Sequence, residues 1–375
     1  MGKKVIVAGH ICLDITPVFP DRKVEAIGEI LTPGRLLRMG GVDVHTGGAV
    51  ANTGLAMKFL GADVALMGKV GKDAFGDMVC DILEKHGAGE RMIRIDGEST
   101  SYSVVLAIPG IDRIFLHNPG ANDTFCAEDI RQEEMEGAAL FHFGYPPLMK
   151  MMYEREGEEL LSVFKKAKAA GAAISLDMAA VDPESEAGKA EWNQILKKTL
   201  PYVDFFVPSA EELLFMLDGE KFSRLAGQAQ GRDLTKILDI EKDIRPLANQ
   251  CMAYGAKVVL IKCGVPGMYY RTADAQCLSG VGGRMGLCIS EWADKEGFEA
   301  SYVPEQVLSG TGAGDTSIAA FLTAALLGET LEDAVRLAAA AGASCVAAYD
   351  ALSGLKSFKA LKEKIAAGWE KVNIP

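Results

Sequence analysis

The chain carries Ser309-Gly310-Thr311-Gly312-Ala313-Gly314-Asp315 directly ahead of an almost wholly apolar stretch, Thr316 to Leu327. Gly312 and Gly314 have no Cβ, so the backbone there can present bare N–H groups to an anion. A helix behind them adds unpaired donors and the positive end of its dipole. Asp315 would repel that anion, and its position suits a base acting beside a phosphate. That chemistry is phosphoryl transfer. The plainer reading is a tight turn whose carboxylate sits favourably in a first helical turn. No Lys-Ser/Thr follows the glycines, so this is not a Walker A loop, and it is not a dinucleotide fingerprint.

Four further groups of residues have types suited to a ligand. Thr46-Gly47-Gly48-Ala49-Val50-Ala51-Asn52 starts a helix, and its Asn52 either satisfies the core or both donates to and accepts from a polyol. Asp14, in Gly9-His10-Ile11-Cys12-Leu13-Asp14, is expected at the end of the first strand, where open α/β sheets bind ligands. It holds two sugar hydroxyls or forms a turn. In Pro208-Ser209-Ala210-Glu211-Glu212, an acid could hold hydrated Mg²⁺, or Ser209 and Glu212 form a capping box. Lys262-Cys263-Gly264-Val265-Pro266-Gly267 leaves a strand, beside a nucleotide or as an ordinary glycine turn. Gly280 to Gly286 reads as a loop. His10, His45, His117 and His142 do not cluster in sequence, which gives histidine catalysis or metal binding no support.

Elements must bring these groups together. Short β-branched runs alternate with helical patterns, the sequence form of βαβ units. Strands are expected at Val5–Ala8, Val64–Val70, Leu140–Phe143, Ile174–Asp177, Phe205–Val207 and Val258–Lys262. Helices are expected at Ala49–Leu60, Ala74–His86 and Glu158–Ala170, each followed by a glycine suited to a C′ cap. Thr330 and Asp333 resemble a capping box for a helix to about Tyr349. Two segments break the alternation and could form a projecting small sheet: about 16–46, and 100–116. The second reads as a hairpin, Tyr102–Ile108 and Arg113–Leu116 around Pro109-Gly110-Ile111-Asp112. The charged stretch 218–243 looks like a surface insertion.

The 375 residues are 49% hydrophobic and 24% charged, ordinary for a soluble globular protein. A net charge of −12 without a Lys/Arg run argues against nucleic acid or an anionic membrane as partner. An anionic nucleotide would need local donors and a metal. The eight cysteines form no C-x-x-C pair and are expected to be reduced. The strand-like start, Lys3 to Gly9, leaves no room for a signal peptide. The expected location is cytoplasmic.

Taken in order, these motifs resemble those of the ribokinase-like, or PfkB, carbohydrate kinase family. Gly47-Gly48…Asn52 continuing to Gly68-Lys69-Val70-Gly71-Lys72-Asp73-Ala74-Phe75-Gly76 resembles its N-terminal signature, and Thr311-Gly312-Ala313-Gly314-Asp315 its C-terminal one. The resemblance implies one α/β domain over 1–375, a three-layer sandwich with a central, mostly parallel sheet and a small β lid from about 16–46 and 100–116. It implies ATP and Mg²⁺, a small sugar as acceptor, and a homodimer through the lid. Asp315 would be the general base, with Gly312, Ala313 and Gly314 as the anion hole. Asp14, Gly48 and Asn52 would hold the sugar, with Arg113 and His117 reading it from the lid. Ser209, Lys262, Gly264, Gly267 and Thr311 would adjoin the nucleotide, and Glu212 would hold Mg²⁺ through water.

Three departures stand out. Ser309-Gly310 replaces the usual Asp-Thr, so the resemblance does not carry over activation by K⁺. Ser209 replaces an Asn of the acidic motif. Asp177-Met178-Ala179-Ala180-Val181 stands where Asp-x-Asn-x-Arg is frequent. A nucleoside kinase and a catalytically weak ligand-binding relative remain the alternatives.

Overall fold

The computed structural model describes residues 2–111, 113–230, 233–348 and 350–373. The expected turn residue Asp112 and helix end Tyr349 lie outside the described residues, as do two residues of the 218–243 stretch. In chain order the strands are β1 (Lys4–Gly9), β2 (Cys12–Pro17), β3 (Val42–Gly47), β4 (Asp63–Met67), β5 (Lys69–Gly71), β6 (Ile93–Ile95) and β7 (Tyr102–Leu106). There follow β8 (Ile114–Asn118), β9 (Ala138–Gly144), β10 (Ala173–Asp177), β11 (Phe205–Phe206), β12 (Val258–Lys262), β13 (Gly267–Thr272) and β14 (Glu296–Ala300).

Eight of them form one sheet in the order β14-β13-β12-β11-β10-β9-β1-β4. Its members from β12 to β4 run parallel, and β13 and β14 add an antiparallel edge. Every residue of β9 and β10 is buried, because helices cover both faces of such a sheet. Apolar clusters lie on either side: one holds Val5, Val7 and Phe321, the other Ile6, Phe141 and Phe164. Alternate β1 residues therefore serve opposite layers. The helix Ala313–Leu327 is buried along almost its whole length, between the helices Ala49–Phe59 and Leu331–Cys345. Thr330 caps the last of these by accepting from Asp333 N–H. Among the described residues no helix is long and apolar enough to cross a membrane.

A second sheet has the order β3-β2-β7-β8. It occupies the two segments that break the βαβ alternation, but it starts earlier than expected, at Cys12. Asp14 is thus not at the end of the first strand; it lies within β2, in the small sheet. The break falls at Gly9 (φ +125°), where a side chain would strike the Gly144 backbone, and Asn122 then holds Ile11 by both its N–H and its carbonyl.

Other boundaries shift for similar local reasons. The run Val64–Val70 splits at Gly68, which is crowded by Ile11, and β5 turns to pair with β6. The hairpin keeps its place, although β7 stops at Leu106 and β8 continues to Asn118. Within Gly68–Gly76, Asp73 is structural: it caps the helix Ala74–Lys85 and accepts from Thr100 N–H and Oγ1. The 218–243 stretch contains the helix Gly219–Ala229 and brings Asp233 and Thr235 to the central cleft.

Candidate active site

A cavity of about 690 Å³ lies at the carboxyl ends of the parallel strands, with Tyr145, Asp177, Glu212, Lys262 and Asp315 on its wall. Its apolar end includes Val307, Ala339, Ala343 and Val346. A larger cavity of about 1210 Å³, lined by Ile237, Ile244, Tyr269 and Phe298, adjoins it through Thr235, Val265 and Val372, but none of those five polar groups lies on its wall. Of its charged side chains, Arg245 is already paired with both Glu241 and Glu296. Size therefore does not select the site; converging polar groups do.

Asp315 is 4% exposed and sits in the first turn of the helix Ala313–Leu327. Its Oδ1 accepts from Tyr145 OH (2.7 Å) and Thr53 Oγ1 (3.2 Å), and its Oδ2 from Asn52 Nδ2 (3.0 Å). Burial pushes its carboxyl up, while these donors and Lys262 pull it down. Gly312 caps the helix at φ +73°, and a Cβ there would collide with Ala351. Among the described residues the N–H groups of Gly312 and Gly314 donate to no partner, and Ala313 N–H has only a long bond to Gly310 O, 3.4 Å. Three donors thus stand beside a buried carboxylate at a helix N-terminus.

Lys262 ends β12 and passes Gly314, whose missing Cβ would lie 3.5 Å from Lys262 Cδ. Its Nζ meets Asp177 Oδ1 at 2.6 Å. Burial alone would lower the ammonium, but Asp177, Glu212 and Asp315 together hold it above the usual lysine range. Burial raises the Asp177 carboxyl against the pull of Lys262, and the nearby Glu212 and Asp315 add to the rise. Glu212 and Ser209 form the capping box: Ser209 N–H donates to Glu212 Oε2 (2.7 Å) and Glu212 N–H to Ser209 Oγ (3.2 Å). Both also line the cavity, with Gly264 and Gly267. Thr311 does not line the cavity, and its N–H donates to Ser309 Oγ at 3.0 Å.

The residues expected on the acceptor side divide into two sets. Gly48 and His117 meet His10 where the small sheet joins the body, and Asp14 lies in that sheet against Cys12, Gly47 and Ser103. Asp14 accepts from Cys12 Sγ at 3.3 Å, and burial raises its carboxyl. The missing side chain of Gly47 makes room for that carboxylate. Gly48 takes φ +85°, and its absent Cβ would lie 2.6 Å from His10 Nδ1. His117 bonds Ser103 Oγ through Nδ1 (3.0 Å) and covers His10, ring centroids 5.2 Å apart. Arg113 differs: its Nη1 donates to Ser309 Oγ at 3.1 Å, which places it on the glycine turn. Asn52 bonds Asp315 and so joins the two sets.

Four residues of this site have no signal in spacing. Tyr145 and Thr53 reach Asp315 only through the fold. Asp177 ends a strand, and strand ends were the available clue. The histidines that do not cluster in sequence do meet in space, at His10 and His117. His10 is buried with neither ring nitrogen bonded, and burial first, then His117, lowers its pKa to about 3. Among the described residues no group of three or more His, Cys, Asp or Glu could hold a metal ion.

The sequence matches the model for pfkB family carbohydrate kinases over residues 4–357. An uncharacterized sugar kinase of Archaeoglobus fulgidus is 24% identical over 302 residues, 80% of this chain and 98% of the relative. Fructokinase-2 of Oryza sativa is 24% identical over 344 residues, 88% of each chain. Arabidopsis thaliana ribokinase complexed with ribose and ATP shares the fold with a TM-score of 0.68 at 22% identity, covering 97% of this chain and 98% of that one. Xylella fastidiosa fructokinase with bound ATP gives 0.69 at 19%, covering 98% and 99%.

Proposed function

The chain belongs to the pfkB family of carbohydrate kinases, and from that premise we propose that it transfers the γ-phosphate of ATP to a primary hydroxyl of a small sugar, with Asp315 as general base. One observation carries the residue assignment: a buried carboxylate shares a helix N-terminus with free N–H groups, in a cavity that also holds Lys262. The acceptor oxygen bonds to the γ-phosphorus as the bond from phosphorus to the departing ADP oxygen breaks. The acceptor proton passes to Asp315. The N–H groups of Gly312, Ala313 and Gly314 take up charge on the transferring group, where positioning and electrostatics supply most of the catalysis.

Lys262 faces the phosphates, with Asp177 holding it in place, and the apolar end of the cavity suits the adenine. Ser209, Gly264 and Gly267 border the nucleotide, and Thr311, expected there, does not reach the cavity. The donor set fits Mg²⁺ held mainly by phosphates and water: Glu212 keeps Oε1 free of its capping bond, and a phosphate-bound ion needs few protein ligands. When bound, the ion would screen phosphate charge. Asp14, Gly48, Asn52 and His117 hold the acceptor, and the small sheet acts as a lid that excludes water. Arg113, on Ser309, ties that lid to the glycine turn.

Phosphoryl transfer from ATP to a panel of pentoses, hexoses, polyols and nucleosides tests the reading. Asp315→Asn is expected to lower kcat on the best acceptor at least about 100-fold. Near-normal turnover in that variant would remove Asp315 as base, and a nucleoside as sole acceptor would replace the sugar.

A further inference from the structure

Tyr145 follows β9 with φ +66° and ψ +44°, a left-handed conformation that costs free energy in a residue with a Cβ. Its N–H donates to Asp177 O at 3.3 Å, which ties the turn to the neighbouring strand. Its phenol then reaches Asp315 Oδ1 at 2.7 Å. Thr53 donates to the same oxygen, whereas among the described residues Oδ2 accepts from Asn52 alone. The two oxygens of this carboxylate are not equivalent.

We propose that Tyr145 is a positioning residue that occupies Oδ1 of Asp315 and leaves Oδ2, beside Asn52, as the atom that takes the acceptor's proton. The assignment rests on Asp315 being the base. An acceptor hydroxyl beside Asn52 donates to Oδ2 as its oxygen bonds to phosphorus and ADP departs; the phenol keeps its own proton. Burial, then the Asp315 charge, holds that phenol well above the usual tyrosine range, so it stays a donor. The other titratable groups facing Asp315 are Lys262 from β12, Asp177 from β10, Glu212 from the helix Ala210–Leu217 and Cys345 from the helix Leu331–Cys345.

Tyr145→Phe keeps the ring and removes the donor. It is expected to lower kcat about tenfold, leave KM for ATP unchanged, and move the acid limb of kcat/KM up by about one pH unit, since a charge-assisted hydrogen bond to the base is lost. A second readout needs no turnover. Burial already raises the Asp315 carboxyl, so the native state binds its proton more tightly than the unfolded chain and loses stability as pH rises through the folded pKa. Removing the phenol raises that pKa further, so Tyr145→Phe should lose more stability relative to the parent at pH 8 than at pH 5 in urea unfolding. An unchanged acid limb and an unchanged stability gap, with Asp315→Asn inactive, overturn the role of Tyr145 alone. Full turnover by Asp315→Asn overturns the base reading and this assignment with it.

Discussion

A buried imidazole that the native state keeps neutral weakens that state as the solution becomes acidic. His10 and His142 are both buried, and burial lowers each to about 3. The unfolded chain binds their protons near pH 6.5 and the native state does not, so stability is lost as pH falls below that value. From pH 7 to pH 5 the loss is about 2 kcal/mol for each histidine. His10→Gln should therefore lose about 2 kcal/mol less than the parent over that interval in urea unfolding. Equal losses in the two proteins would mean that His10 is solvated or protonated in the native state. The neutral ring also suits a polyol, offering one donor and one acceptor.

At the scale of elements, two glycines at opposite ends of the helix Ala313–Leu327 share a left-handed backbone and differ in surroundings. Gly312 is pressed against Ala351, whereas a Cβ on Gly328 would meet nothing within 4 Å. Gly328→Ala is expected to cost about 1 kcal/mol and to spare activity. Gly312→Ala must also displace Ala351, costing about 1–3 kcal/mol more, and should lower kcat by shifting the anion hole. Thermal unfolding and kcat measured on the pair check this; similar activity losses would sink it. The same elements show what a sequence reader can see. Buried parallel strands such as β1 and β12 announce themselves by apolar runs, Val5–Ala8 and Val258–Ile261, and the glycine turns by composition. The strands β2, β3, β13 and β14 mix polar and apolar residues at irregular spacing, because each is only partly buried along its length. Tyr145 and Thr53 carry no pattern at all, since long-range packing alone brings them to Asp315.

For the whole molecule, the small sheet and its flanking segment expose Leu36 (96%), Val42 (60%), Phe115 (56%) and Leu116 (54%). Three of these lie on the two outer strands of the sheet, β3 and β8, and we propose that the homodimer implied by the family resemblance covers them with a second copy. Light scattering after gel filtration should give a dimer, and Phe115→Glu with Leu116→Glu should give a monomer; a monomeric parent would refute the pairing. How far the small sheet can travel follows from its attachment. It joins the body through His10–Ile11 on one side and Gly48 on the other, and these joints touch, while the connections from β6 and to β9 are longer. Were the sheet to open as the proposed lid, displacement would grow with distance from these joints: Asp14, in β2 close to both, would move least, and the end of β7 and β8 at Leu106 and Ile114 most. The proposed contact of Asp14 with the acceptor would then outlast a wide opening.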